Sequence, residues 1–257
     1  MNKLAIATIV AMMASTQVWA IQGTISTAND TKKGEIKWQA RTKSYLLTMK
    51  KGKTDVSAEY PIDTVTALDI PVPPGYEKAV EMVQSGNGKA AIAPLTKIVQ
   101  DYKMLVWDKP AGRYLVEAYI AAGQAQKAYD TATGIIAEDK SAAWTGDLAP
   151  AYWQALLQLG KMPQLENCLR KAASSGDRAS SAYALVMRGD MLLAAGGDSQ
   201  DVYRQALTDA YLRVALMYND EPCRDARRMA MNKAAQCFEK IGMAARAEGM
   251  RTQAKAL

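Results

Sequence analysis

Apolar and polar residues recur along the chain with two different periods. Between Ile21 and Ile70 they alternate with a period of two, as in Glu35–Ala40 (EIKWQA), where every second residue is apolar. This period is typical of β-strands with one buried face. Four such runs are present, and Ile21–Thr27 is a candidate for a fifth. With short turns between them, they predict a small antiparallel meander that curls into a roll or an SH3-like barrel.

A proline-rich segment separates the alternating region from the rest of the chain. Residues 71–75 read PVPPG, which favours a stiff, extended linker because proline restricts φ and lacks a backbone N–H group. After this segment apolar residues recur every three or four positions, which is typical of α-helices. The sequence therefore predicts a β domain at 21–70 and a helical domain at 76–257.

Glycines punctuate the helical region, each between two amphipathic stretches. They occur near positions 88, 123, 160, 196 and 242, with spacings of 35, 37, 36 and 46 residues. A period in the thirties is typical of solenoids built from helix–turn–helix units. We expect Gly160 to follow a helix end, where only glycine readily adopts a positive φ. The pattern predicts five helical hairpins, at about 76–104, 109–138, 147–175, 178–219 and 221–257.

The first twenty residues have the pattern of a cleavable export signal. The positive start Met1–Lys3 precedes the apolar run Leu4–Ser15, and Val18–Ala20 fits the small-x-small rule for signal peptidase. The run is shorter than the roughly twenty residues that a membrane-spanning helix needs, and no later segment is long enough. We expect cleavage after Ala20 and a periplasmic or secreted mature protein without a membrane span; a retained anchor is the alternative.

Three motifs in the helical region resemble a known family. In AYIAAGQAQKAYD, WQALLQLGK and AAQCFEKIGMAARAEGM, the chain resembles the tetratricopeptide repeat (TPR) family over residues 76–257. The resemblance implies a right-handed superhelix of paired helices whose concave groove binds peptides or other proteins. An export signal, a small β unit and a TPR-like array together also resemble envelope proteins of some Gram-negative bacteria. Most hairpins lack the closing proline of the family and their lengths vary, which predicts an irregular array.

The resemblance also implies candidate binding residues. In the family, fixed positions of the first helix of each hairpin line the groove, and they are transferred here by their distance from the turn glycine. Polar groups at these positions would bind a peptide through charge and amide contacts. A solvated helix face is the alternative interpretation. The candidates are Arg113, Glu117, Gln154, Gln158, Asp190, Asn232, Gln236 and Lys240.

A basic surface in the β region is the second candidate site. The formal net charge of the chain is +6, and lysines and arginines cluster between Lys32 and Lys53. Such a surface would attract an anionic glycan, lipid or wall polymer. A solvated sheet whose lysines protect its edges is the alternative, and export argues against nucleic acid. The residues that represent this surface are Lys50, Lys51 and Lys53.

Composition excludes several kinds of chemistry. Histidine is absent, so a Ser-His-Asp or Cys-His pair cannot form and most catalytic zinc sites are excluded. Cys223 and Cys237 are predicted to share one helix about 21 Å apart, too far for a disulfide. Buried thiols are favoured for all three cysteines; a Cys168 pairing or an intermolecular bond is the alternative. We expect no catalytic residues, no metal and no cofactor.

These observations favour a binding protein over an enzyme. The leading hypothesis is a non-enzymatic, exported scaffold whose helical array binds another envelope protein or a peptide. The alternative is a polyanion binder that uses the basic β unit and carries the helices as a spacer. The sequence leaves homo-oligomerisation open.

Overall fold

A computed structural model of the chain describes residues 21–52 and 54–257. The predicted export signal, residues 1–20, and Lys53 lie outside the described residues. The chain forms two compact units. The first comprises the described residues up to Val72 together with Gln100–Trp107, and the second comprises Pro73–Val99 together with Asp108–Leu257.

The first unit is built on an antiparallel sheet of five strands. Its order is β4-β3-β2-β1-β5, so four strands form a meander and the last returns to pair with the first. This arrangement confirms the predicted small antiparallel β unit, including the fifth strand at the start. The strands are β1 (Ile21–Thr27), β2 (Thr31–Gln39), β3 (Ser44–Lys51), β4 (Thr54–Pro61) and β5 (Val65–Asp69).

Alternation along the strands decides the core of this unit. Ile36 and Leu47 face each other in the register of β2 and β3, and both are fully buried. Trp38 is partly buried on the same face as Ile36, and its ring tilts against Tyr45 at 5.0 Å between centroids. The period of two therefore identified the buried face correctly.

A segment from the helical region completes this core, which differs from the predicted division. Leu105 is fully buried among the sheet residues, the hydroxyl of Tyr45 donates to the carbonyl of Met104 (3.0 Å), and Nε1 of Trp107 donates to the carbonyl of Ile70 (2.8 Å). Met104 and Val106 both have positive φ. This backbone cannot continue a helix, so the second helix of the first hairpin ends at Asp101 instead of extending to residue 104.

The second unit consists of consecutive helical hairpins. The pairing confirms the predicted TPR-like solenoid of about five hairpins in a mainly α chain. In the fourth hairpin, the π-helical turn Leu207–Tyr211 joins α8 to α9 without a break. The helices are α1 (Tyr76–Gln84) with α2 (Gly88–Asp101), α3 (Asp108–Ala121) with α4 (Ala125–Glu138), α5 (Leu148–Gln158) with α6 (Met162–Ser174), α7 (Arg178–Gly196) with α8 (Gln200–Ala206) and α9 (Leu212–Met217), and α10 (Arg224–Lys240) with α11 (Ala244–Lys255).

The same turn closes four of these hairpins. At Gly160, which has a φ of 66°, the glycine amide bonds the carbonyl of Leu157 and the next amide bonds the carbonyl of Leu156. This pair of bonds is the Schellman motif, which satisfies the last carbonyls of a helix. The prediction for Gly160 is confirmed. Equivalent bonds occur at Gly86, Gly123 and Gly242.

Two of the predicted turn glycines are wrong by one or two positions. The left-handed residues are Gly86 and Gly197, so the first four turn glycines are spaced by 37 residues each. Gly88 instead begins α2, where a Cβ atom would lie 3.0 Å from Ala121. Gly196 ends α7, where a Cβ atom would lie 2.4 Å from Val202. Both positions require glycine because of close packing and not because of φ.

Candidate functional site

A groove of about 390 Å³ follows the first helices of four consecutive hairpins. We call it the first-helix groove. Its walls combine charged, amide and apolar side chains, and it lies entirely within the second unit. The residues that matter for its chemistry are Arg113 and Glu117 from α3, Asp147 before α5, Gln154 from α5, Tyr183 and Met187 from α7, and Asp225 and Met229 from α10.

Arg113 lies between two carboxylates at one end of the groove. Its Nε is 3.1 Å from Oε1 of Glu117, one helical turn away, and its Nη1 is 3.3 Å from Oδ2 of Asp147. Burial raises the pKa of the Glu117 carboxyl, and the Arg113 guanidinium opposes that shift. With Asp225, the groove presents three carboxylates and one guanidinium, so its net charge is negative.

A buried hydrogen-bond network supports the middle of the groove. Asp190 is 8% exposed, and its Oδ2 accepts a bond from Nε2 of Gln154 (3.2 Å). Its Oδ1 accepts bonds from the hydroxyl of Tyr211 and from Nζ of Lys233, both at 2.7 Å. One carboxylate therefore joins α5, α7, the π-helical turn and α10. Because its charge is paired with Lys233 and hydrogen-bonded, its burial is tolerated.

The apolar part of the groove comes from the later hairpins. Met229 is 38% exposed, although it is a large hydrophobic residue. Tyr183 is partly buried beside it in the groove lining, and burial raises the pKa of its phenol to about 12, so the ring stays neutral. An exposed methionine beside an aromatic ring gives a flexible contact surface for an apolar side chain.

The structure brings together only part of the predicted site. Arg113, Glu117 and Gln154 line the groove, and Asp190 lies beneath Gln154. Lys240 is instead paired with Asp198 (3.1 Å) at the turn of the fourth hairpin. The remaining candidates are exposed and outside the groove lining: Gln158, Asn232 and Gln236.

Unequal helix lengths account for the positions of Asn232 and Gln236 outside the groove lining. The first helices α3 and α5 have 14 and 11 residues, whereas α7 and α10 have 19 and 17. A fixed distance from the turn glycine therefore reaches a different height on each helix. On α10 the groove is formed near the start of the helix, by Asp225 and Met229, and not by Asn232. The stretch RDARRMAMNK contains a second methionine, Met231, which is buried, so the sequence alone did not single out Met229.

The basic surface of the β unit has a simple geometry. Lys50 and Lys51 are exposed at the end of β3, opposite Asp55 and Thr54 of β4. Lys53, the third residue of this candidate site, lies outside the described residues. Trp38 packs into the core beside Tyr45, so the basic surface does not gain a stacking platform from it.

The described residues offer little for redox or metal chemistry. Cys168, Cys223 and Cys237 are free and buried. Burial raises the pKa of Cys223 and of Cys237 to about 11, so these thiols stay protonated and are weak nucleophiles. Within residues 21–52 and 54–257, acidic and cysteine side chains form no group of three or more that could hold a metal ion. Over the same residues, every helix is too short or too polar to cross a bilayer.

The chain has distant similarity to two solved structures and matches no family model. No curated protein matches it either. Among solved structures it is similar to a kinesin light chain protein with nearly identical TPR-like repeats from Podosopora anserina, in two crystal structures, one of a Q17M variant. Both structures are 16% identical to this chain and match 70% of it. The match covers 91% of the Q17M variant, with a TM-score of 0.41, and 92% of the other structure, with a TM-score of 0.40. The fold assignment rests on the hairpins themselves.

Proposed function

We propose that this protein is a non-enzymatic, exported scaffold that binds a segment of another envelope protein in the first-helix groove. The observation that carries the proposal is the convergence of polar and apolar side chains from four separate hairpins on one groove. Residues so distant in sequence form a continuous surface only because the hairpins stack, which is the mode by which helical arrays make binding surfaces.

The chemistry of the groove favours a basic, amphipathic segment. Its three carboxylates outnumber its single guanidinium, and Arg113 is already paired with two of them. A lysine or arginine of the partner would therefore find an acidic wall, which includes Asp225, a carboxylate that is exposed and, among the described residues, held only by a surface pair with Arg228. An apolar side chain next to that cation would contact Met229 and Tyr183. Charge complementarity of this kind contributes to specificity and to the rate of association.

Charge reversal at Asp225 tests the proposal. Asp225 is exposed and forms an i,i+3 pair with Arg228, and Asp201 forms the same kind of pair with Arg204 outside the groove. Consider the envelope protein that the wild-type chain captures. Asp225→Lys should raise the dissociation constant of that complex by about fivefold or more, because the substitution replaces an attraction with a repulsion. Asp201→Lys is the matched control and should bind normally. The measurement is the dissociation constant of the captured partner for each variant.

The β-unit alternative predicts the opposite pattern. Lys50→Glu with Lys51→Glu should leave capture intact if the groove binds the partner. Loss of capture in the lysine variant, with normal binding by Asp225→Lys, would contradict the groove and favour a polyanion site. Binding to such a site should also weaken steeply as salt is raised.

A further inference from the structure

A second and larger cleft, of about 900 Å³, lies on a different set of helices. One face of α7 forms its floor, and α6 and the α8–α9 helix form its walls. We call it the second-helix cleft. It shares no lining residue with the first-helix groove.

The shape of the fourth hairpin accounts for this cleft. Both α6 and α8 pack against α7, which is the longest of the described helices. On the facing side of α7, Leu185, Arg188, Leu192 and Ala195 recur every three or four residues and form one continuous stripe. The stripe runs for about 15 Å, or close to three helical turns, at a rise of about 1.5 Å per residue.

The stripe is apolar except for an arginine in its middle. Leu185 and Leu192 are partly buried, and Ala195 is exposed to the cleft. Arg188 lies between the two leucines, and within the part of the chain that the structure describes its guanidinium has no hydrogen bond or ion pair. Arg213 of α9 faces the same cleft and is likewise unpaired among the described residues.

The walls give the cleft a net positive charge. Arg170 of α6 donates a hydrogen bond to Asn167 at 2.9 Å, and it adds a third guanidinium to those of Arg188 and Arg213. Two carboxylates, Glu166 and Asp209, also line the cleft. Among the described residues, the cleft therefore has unpaired guanidinium groups beside an apolar stripe. A complementary ligand has carboxylates beside its own apolar stripe, since the arginine fork binds a carboxylate through two parallel hydrogen bonds.

We propose that the second-helix cleft binds an amphipathic helix of about three turns whose apolar stripe is flanked by Glu or Asp. The helix would lie along α7 between α6 and α8, with its leucine-type side chains on Leu185, Leu192 and Ala195. Its carboxylates would pair with Arg188 and Arg213. This arrangement is the helix-in-groove mode of recognition, with charge selecting the partner. It does not depend on the function proposed for the first-helix groove.

Two synthetic peptides test the proposal on the purified mature chain. Both are fluorescently labelled 14-residue helices with the same leucine stripe; one carries Glu on both flanks and the other carries Lys. Fluorescence anisotropy should show that the Glu peptide binds at least roughly tenfold more tightly than the Lys peptide. Equal affinities, or no binding of the Glu peptide, would refute the proposal.

Variants then locate the bound peptide. The double variant Arg188→Glu with Arg213→Glu should bind the Glu peptide with roughly tenfold lower affinity, because two attractions become repulsions. The control variant, Arg41→Glu with Lys89→Glu, has the same change in charge at exposed positions outside the cleft. It should bind the Glu peptide with wild-type affinity. If both pairs weaken binding equally, only net charge matters and the cleft is not the site.

A steric variant tests the apolar floor. Ala195→Trp would obstruct the cleft, whereas Ala194→Trp places the same ring on the neighbouring exposed position, outside the lining. We expect loss of Glu-peptide binding only in the first. Equal binding by both would overturn the proposed position of the helix. A dimer of the wild-type chain that the Arg188 and Arg213 changes dissociate would show that a second copy occupies the cleft, and the proposed acidic helix would be wrong.

Discussion

At the scale of single residues, the hydrogen-bond network around Asp190 depends on a close contact between Gly189 and Tyr211. A Cβ atom on Gly189 would lie 2.5 Å from Cε1 of Tyr211, so only glycine leaves room for this ring. Burial, followed by the charge of Asp190, raises the pKa of the Tyr211 phenol. The phenol therefore stays protonated and donates its hydrogen bond to Asp190, which keeps the carboxylate below the groove in one position.

One glycine in a turn and one glycine inside a helix allow a direct comparison of the effect of substitution. Gly160 has a φ of 66°, Gly134 lies inside α4, and a Cβ atom would meet nothing within 4 Å at either position. Gly160→Ala should lower the free energy of unfolding by about 1 kcal/mol because of left-handed strain. Gly134→Ala should raise it by about 0.5–1 kcal/mol because alanine is the better helix former. Urea titrations of both variants measure these changes; a neutral Gly160→Ala would contradict the Schellman turn.

At the scale of elements, the segment Gln100–Trp107 lies in the helical part of the sequence but packs in the core of the sheet. It begins with the last two residues of α2 and ends just before α3, and yet its contacts belong to the first unit. The hydrophobic core of the sheet is small, and the inserted Leu105 is one of the six described residues buried in it. The β unit is therefore incomplete when it is defined by residues 21–70 alone.

Truncation of the inserted leucine should destabilise the first unit. Leu105 is fully buried, and Leu105→Ala should cost about 2–5 kcal/mol through lost apolar contact and the cavity left behind. Its neighbour Val106 is 47% exposed with a positive φ, so Val106→Ala should be neutral or slightly stabilising. Tryptophan fluorescence during urea unfolding reports the change, since Trp38 and Trp107 both pack in this core. Equal midpoints for the two variants would argue against the insertion.

At the scale of the whole molecule, the predicted cleavage after Ala20 would produce a chain that begins with Ile21, a residue of β1. Ile21 pairs with Ile36 of β2, so cleavage after Ala20 would keep every described residue of β1 in the chain. The mature protein would then carry both units. The proposed function depends on this location, because an envelope partner is accessible only after export.

N-terminal sequencing of the natively expressed protein tests the location. We expect a sequence that starts at Ile21 in the periplasmic or secreted fraction, because signal peptidase accepts small residues such as Val18 and Ala20 before the cleaved bond. Ala20→Arg should block processing and leave the longer chain associated with the membrane. Recovery of a cytoplasmic chain that begins at Met1 would contradict export.

Short-range pattern was enough for the elements and their order. The period of two identified the strands, the period of three to four identified the helices, and Gly123, Gly160 and Gly242 were found at their turns. Each of these features depends on residues within about five positions of one another, through backbone hydrogen bonds and the burial of one face. For the same reason the five hairpins could be bounded from the sequence to within a few residues.

Packing between hairpins decided which residues share a surface. Arg113, Glu117 and Gln154 line the same groove because α3 and α5 have similar lengths, whereas Asn232 lies outside its lining because α10 is longer. The second-helix cleft depends on the length of α7 and on the gap between α6 and α8, and the burial of Leu105 depends on a backbone that leaves the helix. Contacts of this kind join residues far apart in the chain, and their geometry depends on how whole helices stack, which no local period of the sequence encodes.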